Sequence, residues 1–445
     1  MTVSLGTTWR PNVAFTVLLR LPDGARPVGD NWVDWRYSSQ LITQPTYGDP
    51  HDDAPYKRYP GTREYFAPQV EGTLFPNPTG HPAESGRWLR RPVALSVTIG
   101  PAGDPTYDLR VDLLEVVRVE LSPYVAFGIA HLNLAGDHSS AEIVDCSRLL
   151  MTRYRELEDR EPVVVVRDGS DSHTLMGHVP LTELTSRLFG AAHAEVAHQA
   201  YSFAATKVPP DVDPGLLPAW RRAVGRGQPL EAAIAVLDTD PEHDDQRNVP
   251  LGPGVATFFG RTAGYTYDGE SSIALRNVRS YWAETVLFGL IQYSYIEYYA
   301  RSLSQLGGEP LGREIDSLFL RWLAFRNILW WHHPSFTTDI AERILRRVHR
   351  GLRTDRLYNE LESGFATYVE ARRHDAEERE ARAIRSLQVY GAGFAAVSTA
   401  AAVMQVLGQP YLKTGVERAI SVVGLIIVGI GVITAVSAWL RHRDS

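Results

Sequence analysis

The densest group of chemistry-bearing side chains is a loop holding Asp238, Asp240, Glu242, His243, Asp244 and Asp245. Carboxylates and an imidazole at this density are a donor set for a divalent cation, which takes oxygen ligands. The metal-ligating candidates are Asp240, Glu242, Asp244 and Asp245. Their spacing is not that of an EF-hand, and no glycine stands where such a loop must turn. A solvated acidic turn is the competing reading and outweighs the cation site. Cys146, the single cysteine, shares a helix face with Ile143, Leu149, Leu150 and Tyr154, so it reads as a small core residue and not as a nucleophile. His332 and His333 are adjacent and therefore point to different sides of a helix, which argues against joint metal ligation. The chain has no Walker loop, no Gly-x-Ser-x-Gly elbow and no zincin motif. Gly252-Pro253-Gly254 lacks the lysine and hydroxyl of a phosphate cradle. No catalytic residue and no cofactor is expected.

These residues sit in a chain of 445 residues, 44% apolar and 22% charged, which is globular composition. The length suits two to three folded units of about 150 residues each. Lys plus Arg number 45 against 52 Asp plus Glu, a net charge of −7. That balance argues against a nucleic-acid partner, which requires a basic face. One cysteine excludes a disulfide framework and a cysteine zinc site and fits a reducing compartment. The first residues lack the pattern of a signal peptide, so the N-terminus is expected inside the cell.

Residues 12–21, 92–100, 107–121 and 124–134 read as strands from their alternating or β-branched and aromatic runs. A helix is expected over 140–158 and a short buried strand at 163–166. Strands succeeded by a helix indicate an α+β or α/β cytoplasmic domain over 1–275. Within it, residues 22–90 form a proline- and aromatic-rich insertion, with Trp32, Trp35, Tyr37, Tyr47, Tyr56, Tyr59, Tyr65 and Phe66. Aromatics are scarce in disordered chains, so the insertion reads as an ordered loop that is either structural or a ligand or partner surface. From 276 the pattern is helical: an aromatic amphipath over 276–306, helices over 313–331 and 335–352, and a coiled-coil stalk from Thr354 onward. No breaker interrupts that last helix before Gly391. Run through to Leu407, it spans 54 residues, about 81 Å.

Residues 387–407 and 419–440 are free of formal charge, and about 20 such residues cover a bilayer core. The expected fold is therefore α+β, a mixed α/β cytoplasmic domain with a long stalk and a C-terminal two-helix transmembrane hairpin at 387–440, ending in a tail at 441–445. Arginines flank the hairpin on one side (Arg372, Arg373, Arg379, Arg382, Arg385, Arg441 and Arg443), which places both termini in the cytoplasm of a multi-pass inner-membrane protein.

This layout resembles the CorA-type divalent-cation transporters, from the strand-and-helix unit at 124–158 through the helices at 276–352 to the stalk and hairpin. The family's Gly-Met-Asn tripeptide is absent: the chain reads Met404-Gln405-Val406-Leu407-Gly408-Gln409-Pro410 there. No family metal ligand carries over. The resemblance implies a pentameric homo-oligomer in the lipid bilayer, and it adds accessory effectors of bacterial defence as a setting.

Gln388, Gly391, Ala395, Ser398, Ala402 and Gln405 succeed one another at spacings of three and four, which puts them on one helical seam. They are the pore-lining candidates, with close helix packing as the rival reading. Ser421, Gly424, Gly431 and Ala435 repeat the rhythm in the second stretch and are the helix-packing candidates. The function expected is a homo-oligomeric channel or transporter gated by its cytoplasmic domain. The alternative is a membrane-anchored, non-conducting sensor or scaffold. An unidentified small ligand on the cytoplasmic domain stays open.

Overall fold

The computed structural model describes residues 8–9, 13–21, 32–34, 65–75, 86–90, 95–101, 106–119, 125–151, 162–168, 171–176, 189, 201–209, 212–239, 247–268, 274–275, 277–305, 312–330, 333–335 and 338–407, and single residues of 420–431. The chain divides into two compact units, Met1–Leu361 and Glu362–Ser445.

A large mixed sheet organises the first unit. Its strands are β2 (Ala14–Leu21), β3 (Val33–Asp34), β4 (Gly86–Arg90), β5 (Leu95–Pro101), β6 (Tyr107–Val119), β7 (Val125–Leu134), β9 (Pro162–Asp168), β10 (Asp171–Met176), β11 (Tyr201–Lys207), β12 (Asn248–Leu251), β13 (Gly254–Phe259) and β14 (Thr262–Tyr267). The order across it is β10-β9-β5-β6-β7-β2-β11-β14-β13-β12, with β4 on β6 and β3 on β4. All described pairings are antiparallel except β11 with β14. Two short strands, β1 (Thr8–Trp9) and β8 (His138–Ser139), pair separately.

Both faces of the central strands are buried, so β2 and β7 read as near-continuous apolar runs. One face packs Phe15, Val17, Leu19, Val97, Leu109, Leu114 and Val116 against helices α2 (Ser140–Met151), α3 (Leu216–Arg226) and α4 (Leu230–Thr239). The opposite face receives helix α5 (Ala283–Gln305), entered through a π-helical turn at Val278–Trp282. There Trp282 meets Phe203 and Tyr265 at ring separations of 6.4 and 5.0 Å. A short helix α1 (Pro68–Leu74) from the proline-rich insertion also reaches α5.

Helices α6 (Gly312–Ile328) and α7 (Asp339–Leu352) complete the helical side, and α8 (Thr354–Leu407) begins in the first unit and runs on into the second. Thr338 caps α7 by accepting a bond from the Ile340 amide. Gly289 lets α7 approach α5, since a Cβ there would lie 2.8 Å from the Val348 side chain. Only Arg353, in the left-handed region at φ 57°, separates α7 from α8.

The transmembrane hairpin is corrected. Among the described residues no helix is long and apolar enough to cross a membrane. Residues 387–407 are the last turns of α8, and lack of charge there is not the same as hydropathy. Gln388, Tyr390, Gly391, Gly393, Ser398, Thr399 and Gln405 dilute a run otherwise rich in alanine. Most of 419–440 lies outside the described residues. The transmembrane channel, the lipid-embedded hairpin, and the multi-pass inner-membrane placement with both termini cytoplasmic fall with that correction.

Candidate functional site

The chemistry-bearing residues that the fold gathers are those of a buried polar network between the sheet and α5. Strand β6 creates it. Its sequence alternates core and non-core positions until Asp112, where the register against β7 shifts by one residue. Such a bulge exchanges the faces of the residues beyond it. Tyr107, Leu109 and Val111 point to the apolar core before it, and Leu114 and Val116 after it. Glu115 is thereby turned toward α5.

Glu115 is nearly sealed from solvent and accepts from three directions. Arg87 of β4 donates to it through Nε and Nη2 at 3.0 and 2.5 Å. Nε2 of His131, on β7, lies 2.7 Å from its Oε1. The other ring nitrogen, Nδ1, lies 3.4 Å from the Thr16 hydroxyl. Arg87 also holds Glu284, in the first turn of α5, donating through Nη1 at 2.9 Å and through Nη2. One guanidinium thus clamps a carboxylate of the sheet to a carboxylate of the helix.

The two acids answer differently to the same burial. Burial alone would raise Glu115, but the Arg87 charge and the His131 hydrogen bond overcome it and bring its pKa down to about 2. For Glu284 burial wins over Arg87, and the nearby Glu115 charge adds to it, so its pKa is raised. A second clamp lies beside the first. Arg279 donates to Asp112 at 3.0 Å and to Asn133 at 2.7 Å, while the Asn133 amide donates to Asp112.

Two turns further along α5, Gln292 begins another buried group. Its Nε2 donates to the Leu329 carbonyl at 2.7 Å, which fixes its Oε1 as the acceptor for Nε2 of His349 at 2.7 Å. The Nδ1 of His349 lies 3.5 Å from Asp355, in the first turn of α8. The His349 ring stacks on Trp330 at 5.1 Å, and Trp330 stacks on Tyr358 of α8 at 4.2 Å. Tyr358 also meets Trp322 of α6 at 5.1 Å. Helix α5 therefore touches the sheet with Glu284 and α7 with Gln292, about 12 Å apart along its axis, and His349 of α7 continues the second contact to the root of α8.

The sequence-derived candidates are not gathered here. Asp240, Glu242, Asp244 and Asp245 lie outside the described residues. Among the described residues no group of three or more His, Cys, Asp and Glu side chains is placed to hold a metal ion. Gln388, Gly391, Ala395 and Ser398 are exposed along α8, and Ala402 and Gln405 continue the same helix. Gly424 and Gly431 are in helical conformation, while Ser421 and Ala435 lie outside the described residues. Cys146 is buried and burial pushes its thiol pKa up, which suits a core residue. His333 pairs with Glu342 at 2.6 Å.

Motifs alone do not reveal Arg87, Asp112, Glu115, His131 and Glu284. The signal that could find them is charge at interior positions of strands buried on both faces, where an ionised group must be paired. No protein-family model, curated protein or solved structure matches the chain.

Proposed function

We propose that the protein is a non-catalytic sensor or scaffold that works as a homo-oligomer, with the sheet unit as the input and α8 as the assembling element. The observation that carries this reading is the exposure on α8 of Ile384, Leu387 and Tyr390, the last two 69% and 77% exposed. A 54-residue helix is seldom held by propensity alone and needs neighbours over most of its length. A second copy is the neighbour that fits: residues 370–385 carry five acidic and five basic side chains, so like segments neutralise one another instead of repelling. The Gln388–Gln405 seam, at three-and-four spacing, is the knobs-into-holes pattern of paired helices. A non-catalytic role is supported by the sheet unit itself, whose buried acids and histidines are bound to one another.

Light-scattering mass measurement of the full chain tests this. A multimer that reverts to one chain in Leu387→Glu/Tyr390→Glu, with the melting of the sheet unit unchanged, is the expected result. A wild-type chain that is monomeric at micromolar concentration overturns it.

A further inference from the structure

Helix α7 is rich in arginine, and its carboxylates do not serve all of them. Arg343 pairs with Asp339 and Arg346 with Glu342, each one turn away. Arg347 and Arg350, in contact range of each other's charge, have no carboxylate partner among the described residues. A cation in the last turn of a helix is favoured by the helix dipole, which accounts for Arg350. It does not account for Arg347, which sits further in and half-buried, where burial and the Arg350 charge both push its pKa down. Arg353 comes next, with its side chain exposed. Its left-handed backbone, at φ 57°, would be filled at lower conformational cost by glycine.

The neighbouring hairpin carries arginines as well. Gly351 packs on the turn between β13 and β14: a Cβ there would lie 2.5 Å from the Gly260 carbonyl oxygen. Arg347 is one turn before Gly351 and shares that face. On the same hairpin, Arg226 and Arg247 lie over the Phe259 ring, at 5.5 and 5.0 Å from its centroid. Arg226 of α3 and Arg247, the residue before β12, thus lie on the hairpin whose tip Gly351 of α7 packs against, in a chain whose net charge is −7.

We propose that Arg347, Arg350 and Arg353, beside the Phe259–Arg261 hairpin tip, bind a small soluble anion carrying two or more phosphates. Guanidinium forks match phosphate oxygens in a bidentate way that the point charge of a lysine ammonium does not. Arg347 and Arg353 lie six residues apart, under two helical turns and about 9 Å of axis, a spread that suits two or more linked phosphates. The site lies wholly within Met1–Leu361 and stands whether or not α8 self-associates.

Titration calorimetry of the full chain with inorganic tripolyphosphate, at physiological salt, tests the site. Saturable binding at one equivalent per chain is expected. Arg347→Gln/Arg350→Gln should weaken it by about tenfold or more, since a hydrogen bond to a charged group is worth at least that. The control Arg343→Gln/Arg346→Gln removes the same charge from the same helix and should leave the affinity within about twofold, because those arginines already have carboxylate partners. Equal weakening by both pairs means a diffuse charge effect and overturns the site. So does absence of saturable binding, and so does binding to vesicles of anionic phospholipid without any response to tripolyphosphate. Circular dichroism melts of both variants confirm that a lost response is not lost folding.

Discussion

The charges of the sheet unit and those of the long helix obey opposite rules. In the sheet, Arg87, Glu115 and Glu284 come from positions far apart in sequence, and each is almost fully buried. On α8, Arg373 pairs with Glu377 and Arg382 with Glu378, each four residues apart and largely exposed. The first kind of pair is strongly destabilising to break, because a lone charge is left behind in a poor solvent. The second kind costs little to lose, because water replaces the partner. Tertiary structure therefore holds the sheet unit's charges in place, whereas these two pairs of α8 are made within a single helix.

The sharpest way to break this contrast is Arg87→Met, which strands two buried carboxylates. Chemical denaturation should show a loss of about 3–5 kcal/mol; a loss under about 1 kcal/mol, the scale of an exposed pair, would mean the clamp is not sealed.

Acid titration separates the two carboxylates. Glu115 has a folded pKa of about 2, below its unfolded value of roughly 4. Its contribution is thus present above that unfolded value and disappears as pH falls toward 2. Glu284 is shifted the other way, so its ionised form is a cost at neutral pH that acid relieves. Melting temperature plotted from about pH 5 to about pH 2 should be flatter for Glu115→Gln than for wild type, and steeper for Glu284→Gln. The reverse order would show the assignments exchanged.

Gln292→Leu should act at the other end of α5. It leaves the Leu329 carbonyl and a His349 ring nitrogen without their shown partner, a loss of about 1–3 kcal/mol by denaturation. At the small end, Arg373→Ala on α8 should change stability by no more than about 0.5 kcal/mol. An effect there as large as that of Gln292→Leu would mean this exposed pair is covered in an assembly.

Much of the secondary structure is legible from pattern. The strands at 14–21, 107–119 and 125–134 and the unbroken run of α8 carry periodicity strong enough to identify unaided. How distant elements converge is not legible in this way. Nothing local to Arg87 or Glu284 says that 197 residues of chain fold back to join them. The bulge at Asp112 is likewise invisible to an alternation count that tolerates one misfit. Absence of charge over 387–407 suggests a span, an inference that the small and polar residues there do not license. The acidic loop stands out by density alone, whereas Glu115 and His131, each isolated in its own strand, are brought together only by register.

The place of β2 in the sheet has a consequence during synthesis. It is made before both strands that flank it, and its sequence, AFTVLLRL, is almost wholly apolar. One edge is covered once β7 is made, but the other pairs with β11, which begins at Tyr201. At roughly 5–20 residues per second, that edge stays open for on the order of 10–35 s of translation. An apolar strand with unpaired amides over such a time is a template for joining other nascent chains. The yield of folded protein should therefore depend on how fast translation passes the stretch between residues 22 and 207, and on whatever shelters β2 until it does.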